Sequence, residues 1–145
     1  MAWESRQQLR VIDSTRDSEQ MVYVLTEKQY EIGRLPAEHE AGTYEILFLE
    51  PTLSRVHATL TWKARARSYQ LLHKSDINPT LVNGRPVRKI LLAPGDRIQL
   101  GFLILELEEA PHGARSRGFD QTENLQRIER VIAWAQEKYA HVKLG

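Results

Sequence analysis

Asn78-Pro79-Thr80-Leu81-Val82-Asn83-Gly84-Arg85 holds a short β run, Thr80 to Val82, that ends on an Asn-Gly pair. Asn-Gly supplies the two positive φ angles of a type I′ turn, so the stretch predicts a tight β-hairpin. The same grammar extends in both directions. Leu9 with Val11, and Val22 with Val24, alternate with polar neighbours in the period-2 pattern of half-buried strands. Further short runs cover Tyr30 to Ile32, Tyr44 to Leu49, Val56 to Trp62, Tyr69 to Leu72, Ile98 to Leu100 and Leu103 to Leu107. Pro94-Gly95-Asp96 is a second turn signal. Many short strands at close spacing predict an all-β architecture, an antiparallel sandwich or barrel, over residues 1–109.

The pattern changes after Glu109. Residues 110–118 contain Pro111, Gly113 and Gly118 with Arg115 and Arg117, and read as a linker. Leu125, Ile128, Ile132, Ala135, Tyr139 and Val142 then recur at spacings of three and four, one face of a helix. Asp120 with Glu123 fits a capping-box-like start. Residues 119–145 are therefore expected to form a C-terminal amphipathic helix. Its apolar face has two candidate partners: its own sandwich, or another chain in a short coiled coil, giving a homodimer or a pairing with a partner helix.

With 145 residues the chain can bury roughly two thirds of its unfolded surface, enough for an independent core. It has no cysteine, which excludes disulfides and thiolate metal sites. No apolar run approaches the ~20 residues of a membrane span. Met1 to Arg6 lacks the apolar core of a secretory signal, so the expected location is cytoplasmic. No phosphate-binding P-loop, dinucleotide fingerprint, nucleophile elbow, metal-ligand cluster or paired carboxylates occur, and the expectation is a non-enzyme with no cofactor and no metal. The net charge of +1 hides an asymmetry. From Asp13 to Glu50 acids outnumber bases nine to three; from Ser54 to Lys89 bases outnumber acids eight to one, which favours an anionic partner for that half.

Three motifs in the chain give that partner a shape. Gly33-Arg34, Ser54-Arg55-Val56-His57 and Asn78 put two guanidinium groups, a hydroxyl and a side-chain amide on turns between predicted strands. That donor set suits a dianionic phosphate on an extended peptide.

Taken in order, Gly33-Arg34, Ser54-Arg55-Val56-His57-Ala58, Asn78 with Thr80-Leu81-Val82-Asn83-Gly84, and Leu92-Ala93-Pro94-Gly95-Asp96-Arg97-Ile98-Gln99-Leu100-Gly101 resemble the signature of forkhead-associated (FHA) domains, over roughly Leu9 to Glu108. The resemblance implies a β-sandwich that binds phosphothreonine peptides through loops at one end. It implies that Arg34 clamps the phosphate and Ser54 binds it directly, with Arg55 facing the peptide or the phosphate rim and Asn78 bonding the peptide backbone. It also implies that His57 holds the recognition loops through their backbone. Gly33, Thr80, Asn83 and Gly84 are expected to support the binding loops, and Gly95-Asp96 to serve turn geometry.

The chain departs from the family pattern at Asp76 and Ile77, where Ser or Thr is usual, and at Pro79, where Gly is usual. Ile77 cannot supply a hydroxyl, Asp76 brings a negative charge near the phosphate position, and Pro79 removes a backbone donor. Two functions follow: a phosphothreonine-dependent adaptor, or a scaffold or assembly subunit that dispenses with phosphate and uses the same fold together with its C-terminal helix. Nucleic-acid binding through Trp62, Tyr69, Arg65 and Arg67 is a third and weaker reading, since both aromatics also fit ordinary strand positions.

Overall fold

The computed structural model describes residues 7–13, 21–36 and 41–116. The expected C-terminal helix over 119–145 lies outside them. Among the described residues eleven strands follow in chain order: β1 (Gln7–Asp13), β2 (Val22–Leu25), β3 (Gln29–Arg34), β4 (Glu45–Phe48), β5 (Ala58–Lys63), β6 (Ser68–His73), β7 (Thr80–Val82), β8 (Arg85–Pro86), β9 (Lys89–Leu91), β10 (Arg97–Leu100) and β11 (Leu103–Glu109). They form a six-stranded sheet in the order β2-β1-β11-β10-β7-β8 and a five-stranded sheet in the order β4-β3-β5-β6-β9.

The side-chain period explains the two layers. In β11, Leu103, Leu105 and Leu107 are buried while Ile104, Glu106 and Glu108 are half-buried, so one face of the strand enters the core. Ile32, Ala58, Leu60, Tyr69 and Leu71 supply the opposing face from the five-stranded sheet. Each fully buried leucine contributes about 2 kcal/mol from the area it removes from water. Tyr30 and Tyr69 are the largest of these buried side chains, and both hydroxyls find partners. Tyr30 Oη accepts from the Thr26 and Glu27 N–H groups, and Tyr69 Oη donates to the Glu27 carbonyl at 2.6 Å. The β2–β3 turn is thereby fixed at one end of the sandwich.

Three differences from the sequence expectations have local causes. Every described pair is antiparallel except β3 with β4, which run parallel from Glu31↔Glu45 to Arg34↔Phe48. A parallel neighbour needs a crossover rather than a hairpin, and the chain between Arg34 and Glu45 provides it. Val56 and His57 were expected to open a strand, but they lie in the loop before β5, with Val56 exposed. Finally, β8 and β9 are two and three residues long, too short to show a period.

Strand direction sorts the loops into two poles. Arg34 ends β3, the 49–57 loop precedes β5, the 74–79 loop joins β6 to β7, and Gly101-Phe102 turns β10 into β11. All four gather at one pole. Asn83-Gly84 and the 93–96 turn lie at the other, where Asn83 Nδ2 donates to Asp96 Oδ1 and Asn83 Oδ1 accepts from the Arg97 N–H. Asn83 takes φ 52° and Gly84 φ 81°, as the Asn-Gly turn requires.

Candidate phosphate-recognition site

The pole that carries Arg34 is assembled by backbone bonds. The Arg34 N–H donates to the Ser54 carbonyl at 2.9 Å, and the His57 N–H donates to the Ile32 carbonyl at 2.7 Å. The Ser54–His57 segment is thus laid across the end of β3. Gly33 makes this approach feasible: a Cβ there would stand 1.9 Å from the Arg55 carbonyl oxygen. Any side chain at residue 33 would drive the two segments apart.

The charges of Arg34 and Arg55 are brought within reach of each other as a consequence. Burial, and then the charge of Arg55, hold the Arg34 pKa below its usual value. Neither guanidinium has a carboxylate partner among the described residues. Two cations whose charges interact, one of them partly desolvated, form a site whose electrostatic cost an arriving anion relieves.

Ser54 and Ser75 close the next link. Their hydroxyl oxygens are 2.6 Å apart. Ser75 Oγ also accepts from the N–H groups of Ile77 (3.1 Å) and Asn78 (3.3 Å), so both of its lone pairs are in use. Its proton is therefore donated to Ser54 Oγ. Ser54 in turn keeps its own O–H as a donor toward a ligand. Ser75 has no place in the sequence reading, although Ser-Asp-Ile-Asn carries a signal for it: a serine whose hydroxyl accepts from the residues two and three ahead forms a local turn.

His57 is buried and ties three segments together. Its Nδ1 accepts from the Ser54 N–H, which leaves the proton on Nε2, facing the Pro79 carbonyl at 3.3 Å. Its carbonyl accepts from both the Lys74 and Ser75 N–H groups. Burial lowers its pKa to about 4, against the pull of the Pro79 carbonyl, so the ring is neutral near pH 7. The His73 ring packs edge-on against it with centroids 5.8 Å apart, and His73 Nδ1 meets the buried Thr80 Oγ1 at 2.7 Å.

Asn78 Nδ2 donates to the Thr52 carbonyl at 2.9 Å, joining the 74–79 loop to the 49–57 loop. Thr52 is a hub in its own right. Its N–H and hydroxyl both donate to the buried Glu50 carboxylate, and its Oγ1 accepts from the Phe102 N–H at 2.8 Å. The structure thus brings Gly33, Arg34, Ser54, Arg55, His57, Asn78 and Thr80 to one pole. It leaves Asn83 and Gly84 at the opposite pole, where they touch none of the recognition loops. A hollow of about 730 Å³ between the β2–β3 turn and Tyr44 shares no residue with this cluster. Arg65 and Arg67 lie on the exposed β5–β6 turn, and Tyr69, expected as a stacking surface in the nucleic-acid reading, is fully buried against Trp62.

A two-layer β-sandwich presenting an arginine, a serine and an asparagine from three loops at one end is the architecture of a loop-based recognition module. The family model described as FHA domain matches residues 30–101, and over that span the chain is a member of the FHA domain family. Among solved structures, the FhaA FHA domain complexed with the intracellular domain of Rv3910 is similar, at 25% identity, 70% of this chain, 99% of that chain and a TM-score of 0.56. A structure from an analysis of phosphothreonine-dependent FHA domain interactions is similar at 26% identity, 72% and 97% coverage and a TM-score of 0.57. The FHA domain of CT664 from Chlamydia trachomatis, at 19% identity, 73% and 99% coverage and a TM-score of 0.58, shares the fold. No curated protein matches the chain. Among the described residues no helix is long and apolar enough to cross a membrane.

Proposed function

We propose that the chain is an adaptor that binds phosphothreonine-containing proteins or peptides and so makes a protein–protein contact depend on phosphorylation. The observation that carries this reading is that Arg34 and the Ser54-Arg55 segment are bonded together at one pole, the two arginine charges interacting without a described carboxylate partner, with a serine hydroxyl left as a donor. In this reading Arg34 forks two phosphate oxygens, Ser54 donates to a third, and Arg55 covers the rim. Asn78, anchored through Thr52, contacts the peptide backbone. Gly33, His57 and Thr80 hold the loops, and no residue is assigned to covalent chemistry. The similarity to a structure named for phosphothreonine-dependent interactions supports the ligand class.

A phosphate-independent scaffold remains the second reading because Val56, Ile77 and Phe102 are exposed on loops of this same pole. Apolar groups there would grip a partner with or without phosphate. A phosphothreonine peptide library titrated beside its unphosphorylated twin separates the two. The adaptor reading expects binding of selected phosphorylated peptides only. Equal affinity for both forms supports the scaffold and refutes the adaptor.

A further inference from the structure

Exposed cations on this sandwich fall into two groups among the described residues, those held in ion pairs and those without one. On the six-stranded sheet, Arg10 pairs with Glu108 at 2.9 Å and Arg97 with Glu106 at 3.3 Å. At the recognition pole, Lys74 and Arg88 are both exposed and have no ion-pair partner among the described residues. Asp76, the one acid between Ser54 and Lys89, pairs with neither.

Their positions are fixed by the backbone. The Lys74 N–H donates to the His57 carbonyl at 2.8 Å, and Lys74 immediately precedes Ser75, whose hydroxyl touches that of Ser54. The His73 N–H donates to the Arg88 carbonyl at 2.8 Å, which sets Arg88 beside the residue that precedes Lys74. The backbone positions of these two cations therefore adjoin the Ser54–Ser75 contact on its β6–β9 side.

We propose that Lys74 and Arg88 form a second anion subsite, which takes a carboxylate or a second phosphate on the same peptide that carries the phosphothreonine. The proposal rests on the phosphopeptide reading above and adds a rule of partner selection to it. An extended peptide advances about 3.3 Å per residue, so the second anion sits within roughly four residues of the phosphothreonine. The unpaired cations also raise the association rate of acidic partners, because the local field steers them in.

The test is a titration of phosphothreonine peptides that share one core sequence. One has neutral flanks, a set carries a single glutamate at each of four positions on either side, and a third places phosphoserine at the best of these positions. Each is titrated into the full chain and into the Lys74→Met/Arg88→Met double variant, which keeps the aliphatic stems. The wild-type chain binds the best acidic peptide about 3- to 10-fold more tightly than the neutral one, the range two exposed ion pairs supply. The double variant removes that gain and leaves the neutral peptide within about twofold. A larger gain from phosphoserine than from glutamate identifies a second phosphate as the preferred group, and equal gains identify any anion. Acidic and neutral peptides of equal affinity, or a gain that survives in the double variant, overturn the subsite. The neutral peptide keeps the two readings distinct: if it binds and acidity adds nothing, only the subsite fails. If no phosphopeptide binds, both fall.

Discussion

Ser75 Oγ lies 2.6 Å from Ser54 Oγ and spends its own lone pairs on the Ile77 and Asn78 N–H groups. This arrangement fixes which hydroxyl donates, and with it the direction in which Ser54 offers its proton. Ser75→Ala removes that control together with the acceptor for two loop N–H groups. The variant is expected to lose roughly 1–2 kcal/mol of stability and about fivefold in phosphopeptide affinity, measured by denaturation and calorimetry. Unchanged affinity with lowered stability would assign Ser75 to loop structure alone.

Gly33→Ala places a methyl group 1.9 Å from the Arg55 carbonyl oxygen, with backbone rather than a flexible side chain in its way. The end of β3 and the Ser54–His57 segment must separate. A loss of about 3 kcal/mol is expected, together with loss of peptide binding even under conditions where the variant is folded. Two-dimensional NMR would locate the shifts at the recognition pole rather than across the sandwich.

Thr52→Val keeps the shape and the backbone bonds of Thr52 but deletes its hydroxyl. The buried Glu50 carboxylate loses one donor, and the Phe102 N–H loses its acceptor. A cost of about 2 kcal/mol is expected in chemical denaturation, a large effect for one methyl-for-hydroxyl exchange. A near-neutral result would mean that Glu50 is satisfied without Thr52.

His57 gives the free protein a specific acid sensitivity. Its folded pKa, about 4, lies below the 6.5 of the unfolded chain. The native state therefore binds its proton last. The stabilisation is complete above pH 6.5 and is lost as pH falls toward 4, by roughly 3 kcal/mol in total. Melting without peptide isolates this effect, since a phosphopeptide loses its second charge near pH 6. The part of the slope due to His57 should disappear in a His57→Asn variant, whatever that variant loses in absolute stability.

The sandwich itself was legible because its residues obey a short-range rule: Leu105 and Leu107 alternate with Glu106 and Glu108, and Asn83-Gly84 can close a hairpin by its φ angles alone. The parallel pairing of β3 with β4 was not legible, since a crossover leaves no local period. Arg34, Ser54 and Asn78 could be picked out by motif, but their partners could not. That Asn78 reaches Thr52, and that Ser75 sets the Ser54 proton, depends on contacts between residues more than twenty apart. Asn83 and Gly84 show the converse error: adjacent in sequence to the recognition motif, they are carried to the far pole by the length of β7.

The most direct test of the phosphate site is a crystal structure of the chain with a bound phosphothreonine peptide. The phosphate is expected within hydrogen-bonding distance of the Arg34 guanidinium and Ser54 Oγ, with Arg55 at its rim, and Arg34→Ala should cost about 2–4 kcal/mol of binding to the same peptide. A phosphate held elsewhere on the sandwich, with Arg34 and Ser54 untouched, would contradict it.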